Sequence, residues 1–576
     1  MSIPLERLRQ ELSAQGLDGF VVPRADEYQG EYVPPSAMRL AWLTGFSGSA
    51  GVAVVLSDRA ALFVDGRYTL QAKAEVDEAA FALLHLVEQP PQAWLETALS
   101  AGQRLGYDPW LHTPNGVEQL RKACDKAGAQ LVPCVRNPLD AVWSDRPAPP
   151  QAPVVAHPLE FAGRTAAEKR ADIAALLRAE KQDAVVLTAP DSIAWLLNIR
   201  GGDVDFSPLP LGFAILRADA SVELFLDPAK QPPAMEGVTL SPPSALGDAL
   251  AALAGKSVRI DPSSAAAWIF DRLDQPIKAA DPCALPKARK NDIELQGARR
   301  AHLRDGVALS RFLAWLDHAE AVTEISARDK LESFRSQGDL YCGPSFPTIA
   351  GAGPNGAIVH YRSTEASNRR LEPGQLFLLD SGGQYRDGTT DVTRTIAIGP
   401  AGAEERHRFT LVLKGHIALA SARFPEGTTG SQLDVLARSA LWAEGLDYDH
   451  GTGHGVGSFL SVHEGPQRIS KIGNAQALLP GMVLSNEPGY YKTGAYGIRI
   501  ENLLAVIPSE IVGERAMLEF ETLTLAPIDR RLIDPTLLSP AEITWLDGYH
   551  ARVRAALSPH LDGPDQDWLS QATAPL

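Results

Sequence analysis

The sequence predicts a multidomain chain of α/β and α+β class: two related α/β domains, a larger mixed domain and a C-terminal extension. Three observations predict it. Two segments repeat one order of apolar and polar stretches. Two irregular stretches break the chain. After the second break a capped helical pattern gives way to glycine-punctuated strands. At 576 residues the chain has room for about three to four domains of roughly 150 residues each.

The first repeat, "DGFVVPRADE…RLAWLTGFSGSAGVAVVLSDRAALFVD", runs from Asp18 to Asp65. The second, "DAVVLTAPDSIAWLLNIRG…LGFAILRADASVELFLD", runs from Asp183 to Asp227. Each reads as an apolar strand, a Trp-Leu stretch, a second strand, a polar turn and a third strand ending in Asp. An amphipathic, helix-like run precedes each, Leu5 to Gln15 and Ala166 to Glu180. Within the first repeat, "TGFSGSAG" lacks the Lys-Ser/Thr of a phosphate loop and leads into a strand, so it reads as a tight turn.

The stretch "WSDRPAPPQAPVV" shows neither helical nor strand periodicity and reads as a linker. "DPCALPKARK" makes the second break, and the helical pattern after it opens on an Asn/Asp cap. These breaks set domains at 1–150, 151–286 and 287–510, with an extension over 511–576 that carries the strand "MLEFETLTLAPI" and the helix "SPAEITWLDGYHARVRAAL".

Composition narrows the function. A net charge of −16 without a long basic run argues against nucleic acid or an anionic membrane as partner. No apolar run approaches the roughly 18 residues of a membrane span, and the N-terminus lacks a signal-peptide apolar core. Cys124, Cys134, Cys283 and Cys342 are sparse and lack CxxC spacing, which fits a reducing compartment. A cytoplasmic protein is expected.

The chemistry lies in the third domain. In "GQLFLLDSGGQYRDGTTDVTRTIAIG", Asp380 ends an apolar strand and Asp391 begins the returning one. Asp387-Gly388 reads as the hairpin turn, which would set Gln384 opposite Asp391. Asp380 would then lie about 13 Å from Asp391 along a flat hairpin, too far to share a cation, unless a bulge at Gly382-Gly383 bends it. In "GMVLSNEPGYYKTGAYGIRIENLLAV", Glu487 interrupts one strand and Glu501 sits inside another, with Arg499 on the same face. Arg499 could neutralise one glutamate, but not four acidic groups. A neutral His454 completes a set of charge about −4 that two divalent cations would balance. Its oxygen-rich shell suits Mn²⁺, with Zn²⁺, Co²⁺ or Fe²⁺ as alternatives, and a water shared between two cations becomes a hydrolytic nucleophile.

These motifs, with "HGTGHGVGSFLSVHEGP" between them, resemble those of the pita-bread metallopeptidases, in particular the long, three-domain Xaa-Pro aminopeptidases. The order Asp, Asp, His, Glu, Glu matches the family's ligand order. "WLTGFSGSAG…DGRY", "WSDRP" and "DSIAWLLNIRG" extend the resemblance over nearly the whole chain. It implies two creatinase N-terminal-like domains ahead of a pita-bread domain. It implies Asp380, Asp391, His454, Glu487 and Glu501 as metal ligands, with Asp391 and Glu501 bridging. His360, His450 and His463 would line the substrate cleft, Glu487 or Glu501 would take the water's proton, and Arg499 and Tyr491 would support the ligands. A helix bearing His450 and His454 as two ligands is opposed by Gly451, Gly453, Gly455 and Gly457. The implied reaction releases the N-terminal residue of a small peptide with proline second, by attack of a hydroxide bridging the cations, in a homodimer. The rival readings are an Xaa-Pro dipeptidase (prolidase) and a non-catalytic binding module of the same fold, which should have lost ligands.

Overall fold

The structure is a computed structural model that describes residues 3–511 and 513–576. The chain divides into two compact units, one reaching to Pro158 and including Arg164–Cys283, the other made of Leu159–Gly163 and Ala284–Leu576.

In the first unit both repeats build a six-stranded sheet. The first sheet runs in the order Ala82–His85, Ala60–Val64, Val52–Leu56, Gly19–Pro23, Arg104–Tyr107, Gln130–Pro133. The second runs Val238–Ser241, Val222–Phe225, Phe213–Arg217, Ala184–Leu187, Val258–Ile260, Ile277–Lys278. In both, the three strands of the repeat are antiparallel and the flanking strands join in parallel. The Trp-Leu stretches are short helices, Arg39–Thr44 and Pro190–Leu197. Gly45, in the left-handed region, closes the first of them, so "TGFSGSAG" ends a helix before it enters a strand.

The strands are apolar on both faces because both faces are covered. Phe20, Val22, Val55 and Leu62 pack with Leu5, Leu8 and Leu12 of the helix Ile3–Ala14. The alternate residues Val21, Val54, Ala61 and Phe63 pack with Leu95 and Leu120 on the other side. Burying one such Leu, Val or Phe contributes about 1.5–3 kcal/mol.

The long helix of the second unit is Asp292–His318, where Asn291 and Glu294 form a reciprocal cap. Its Gly297 faces the backbone at Asp387, where any side chain would collide with the Asp387 carbonyl oxygen. One and two turns further on, Arg300 and Arg304 grip the buried Asp387 carboxylate. This ion pair explains one departure from the sequence reading. The hairpin turns at Arg386-Asp387, not at Asp387-Gly388, and Tyr385 pairs with Gly388. The tertiary ion pair overrides the local turn preference of Asp-Gly.

The hairpin then keeps one register throughout, with Gln384 opposite Thr389 and Asp380 opposite Thr393. Its base, Gln375–Ser381 with Val392–Ile398, pairs with Ile349–Ala352, while its tip pairs with Tyr341–Pro344. The change of sheet falls at Gly382, which has no room for a Cβ beside the Thr390 carbonyl and the Ser345 hydroxyl.

A six-stranded sheet carries the remaining motifs, in the order Arg423–Pro425, Met517–Thr522, Asn502–Pro508, Val483–Asn486, Gly453–Gly455, Glu464–Ile469. A second departure appears here. Glu501 does not lie inside a strand: the hairpin strand Tyr496–Arg499 ends before it, and Asn502–Pro508 begins after it in the other sheet. The chain changes partners at this residue, and ladder pairing stops. The helices Ala403–Ala420 and Pro540–Leu557 cover a core that includes Leu413, Ile417, Ile498, Leu546 and Val553.

Candidate metal centre

Asp380 lies near the end of its strand, and Asp391 immediately precedes the returning one. With Asp380 opposite Thr393, Asp391 is two positions away on the same face. The constant register brings the two carboxylates together without the long offset that a turn at Asp387-Gly388 would impose. The strand Gly453–Gly455 presents His454. Its Nδ1 donates to the Gly455 carbonyl at 3.0 Å, which leaves Nε2 to face Asp391 Oδ2 at 3.4 Å and Glu487 Oε1 at 3.7 Å. Ligand atoms of Asp391, His454 and Glu501 all lie within 4.8 Å of one another.

Three residues that the sequence reading did not single out hold these ligands by side chain or main chain. The Ser485 hydroxyl accepts from the His454 N–H at 3.0 Å and donates to Glu487 Oε1 at 3.1 Å. The Thr393 hydroxyl donates to Glu501 Oε2 at 2.7 Å. Arg394 donates to the Glu501 carbonyl at 2.7 Å. Ser485 and Thr393 each stand two residues from a ligand in a strand, a same-face position that period-two reading could have flagged. Arg394 is a lone charge in the run "VTRTIAI".

Arg499 donates to Asp380 Oδ2 at 2.6 Å and to the Tyr491 hydroxyl at 2.5 Å. The carboxylate that Arg499 serves is therefore Asp380. Tyr491 is in turn 2.8 Å from His450 Nε2, and His450 Nδ1 contacts the Gly451 carbonyl at 2.8 Å. The His463 ring, exposed to solvent, stands edge-on to the His454 ring with centroids 4.3 Å apart. His360 follows Val359, whose carbonyl accepts from Arg499 at 3.5 Å.

The site fits a pair of cations on its own terms. Asp380 Oδ1 and Asp391 Oδ1 are buried without a hydrogen-bond partner, and such oxygens are costly unless something positive meets them. Burial, then the neighbouring carboxylates, raise Glu501 well above its ordinary range. Burial also raises Asp380 and Glu487, against the pull of Arg499 on Asp380 and of His454 on Glu487. Burial opposes a charged His454, yet the Asp391 hydrogen bond and the Glu487 charge outweigh it and lift His454 to about 9. An anionic cluster of this kind, with oxygen ligands and one imidazole, suits hard to borderline divalent ions.

Residues 296–508 match the metallopeptidase family M24, and residues 516–576 match the C-terminal region of that peptidase. Residues 4–138 and 145–294 each match a creatinase/prolidase N-terminal domain. A probable Xaa-Pro aminopeptidase P of Aspergillus fumigatus is 40% identical over 604 residues, spanning 99% of this chain and 92% of that protein. Aminopeptidase P2 of Arabidopsis thaliana is 40% identical, spanning 97% and 86%. Among solved structures, the X-prolyl aminopeptidase of Caenorhabditis elegans, described as a cytosolic enzyme with a di-nuclear active site, superposes with a TM-score of 0.94. It is 36% identical over 100% of this chain and 99% of its own. The prolidase of Pyrococcus horikoshii, at 24% identity and a TM-score of 0.50 over 63% of this chain and 99% of its own, shares the fold alone.

Proposed function

Because the chain belongs to the Xaa-Pro aminopeptidase P family of M24 metallopeptidases, we propose that it releases the N-terminal residue from peptides with proline in second position. Asp380, Asp391, His454, Glu487 and Glu501 would hold two divalent cations, Mn²⁺ in this reading, with Zn²⁺ or Co²⁺ as alternatives. Asp391 and Glu501 would be shared between the two. When bound, such a pair lowers the pKa of a water and polarises the scissile carbonyl.

The residues divide the remaining work. Glu487 takes the proton of the attacking water. It is partly exposed and 3.8 Å from His450 Nδ1, whereas Glu501 is more deeply buried. The peptide's free amine would sit near Asp380, which Arg499 holds, and this sets the exopeptidase register. His463 and His360 donate N–H groups to the carbonyl oxygen as negative charge develops, a contribution of about 3–4 kcal/mol per well-placed donor. His450 has both ring nitrogens engaged, with Gly451 and Tyr491, and steadies the Tyr491–Arg499 pair. Glu487 then returns its proton to the departing secondary amine of proline. Proline has no N–H for the enzyme to bind, so its recognition falls to shape.

The observation that carries this reading is the clustering of the Asp391, His454 and Glu501 ligand atoms within 4.8 Å of one another, with Glu487 3.7 Å from the His454 ring and the Asp380 and Asp391 Oδ1 atoms buried without a partner. A Mn²⁺-supplemented assay on an Xaa-Pro-Xaa tripeptide, run beside an Xaa-Pro dipeptide and Asp391→Asn, tests it. Cleavage of the tripeptide in preference to the dipeptide, abolished in the variant, is expected. Preference for the dipeptide would make the protein a prolidase, and equal cleavage by Asp391→Asn would remove the metal site from the reaction. We propose a homodimer in the cytoplasm, testable by light scattering and fractionation. All four cysteines are free thiols, and among the described residues no helix is long and apolar enough to cross a membrane.

A further inference from the structure

We propose that Arg394 is a positioning residue that makes the C-terminal region a working part of the metal centre. The proposal rests on the reading that Asp391 and Glu501 bind cations.

Arg394 is 2% exposed and spends its guanidinium on six acceptors. Two belong to the site: the Thr393 carbonyl at 2.8 Å and the Glu501 carbonyl at 2.7 Å. One is Asn502 Oδ1 at 2.8 Å. The other three come from the C-terminal region: the Ala526 and Pro527 carbonyls, both at 2.9 Å, and the Tyr549 hydroxyl at 3.0 Å. Tyr549 donates onward to the Ala526 carbonyl at 2.8 Å, which ties the helix Pro540–Leu557 to the same network.

None of the six acceptors is charged. A buried cation without a carboxylate partner is a costly way to join strands, and neutral residues could fill a merely structural position more cheaply. The location explains the expense. Glu501 falls where one strand has ended and the next has not begun, so no ladder holds its carbonyl. Thr393 receives the Glu501 N–H at 3.1 Å and reaches its carboxylate. Arg394 supplies the third hold, on the carbonyl, and fixes the peptide plane after the ligand. Arg394 is also three residues from Asp391 on the same segment. One planar fork thus ties the Glu501 carbonyl and the Thr393 carbonyl, two residues after Asp391, to residues 526, 527 and 549. A lysine offers one nitrogen and cannot reach these acceptors together.

The test uses the full chain, stripped of metal by a chelator and titrated with MnCl₂ by calorimetry and low-temperature EPR. The wild type should take up a pair of Mn²⁺ ions with a spin-coupled signal. Arg394→Lys should bind the weaker ion about ten-fold less tightly or worse and lose the coupled signal, as supporting residues of metal ligands do. Tyr549→Phe, which leaves the guanidinium intact and removes only its Tyr549 acceptor, should weaken the same ion by a smaller factor. At saturating Mn²⁺ its KM for an Xaa-Pro-Xaa peptide should stay at the wild-type value. If Arg394→Lys fails to fold, Tyr549→Phe decides by the same readout. Variants that melt earlier but bind Mn²⁺ with wild-type affinity and spectrum overturn the inference alone. A wild type that takes up fewer than two ions overturns the functional reading and this inference with it.

Discussion

Arg499 donates to Asp380 Oδ2 across 2.6 Å, and both groups are buried. The pair leaves the other Asp380 oxygen without a hydrogen-bond partner, available to a cation. Breaking a buried ion pair on one side costs about 3–5 kcal/mol, because the remaining charge stays desolvated. Arg499→Ala should therefore lower the melting temperature of the metal-free protein and reduce kcat by about 10–100-fold. Arg499→Lys should recover stability better than turnover. A lysine variant with full kcat would contradict the role assigned to the guanidinium.

Ser485 joins His454 to Glu487 through one hydroxyl. Its loss frees the His454 main-chain N–H and the Glu487 carboxylate at once, at a cost of about 1–2 kcal/mol for the missing hydrogen bonds. Ser485→Ala should weaken Mn²⁺ binding by roughly ten-fold, and Ser485→Thr should restore part of it. Calorimetric titration reads this directly, and unchanged affinity in the alanine variant would exclude the bridge.

Gly382 marks the crossing between two sheets, and a Cβ there would collide with the Thr390 carbonyl and the Ser345 hydroxyl. Gly382→Ala should destabilise the hairpin by about 1–3 kcal/mol, as overpacking does, and move Asp380 relative to Asp391. Loss of melting temperature together with weakened Mn²⁺ uptake is expected. A variant with wild-type values in both would show that the crossing has room to spare.

His550 is buried, and its Nε2 accepts the Ile528 N–H at 3.1 Å. Burial first, then the Arg394, Arg530 and Arg554 charges, push its pKa down to about 3. Burial, aided by Arg394, brings His416 to about 3 as well. The unfolded chain binds these protons near its ordinary pKa of about 6.5, and the folded chain does not. Their stabilisation is therefore full above about pH 6.5 and is lost as pH falls toward the folded values. His550→Gln should flatten the decline in melting temperature between about pH 7 and about pH 4. An identical decline in variant and wild type would mean that His550 does not report on acid unfolding.

Much of this site is legible in the residues themselves. Asp380 and Asp391 stand out because each bounds an apolar strand, and the glycines around His454 exclude a helix there. What the sequence conceals is tertiary. Asp387-Gly388 carries a strong local turn signal, but Arg300 and Arg304, more than eighty residues earlier, bind the Asp387 carboxylate and move the turn by one residue. Glu501 reads as a strand residue because its neighbours are apolar, and nothing local announces a change of sheet. Arg394 is visible as a buried charge, yet three of its acceptors lie more than 130 residues away. The identical order of the two N-terminal sheets follows the repeated segments, since each strand's apolar pattern is local.

The most direct measurement titrates metal-free protein with Mn²⁺ while following release of the N-terminal residue from an Xaa-Pro-Xaa peptide. Two equivalents per chain should bring the rate to its plateau, and Asp391→Asn should stay inactive throughout. A plateau at one equivalent, or full activity in excess chelator, would contradict a dinuclear centre built from these five side chains.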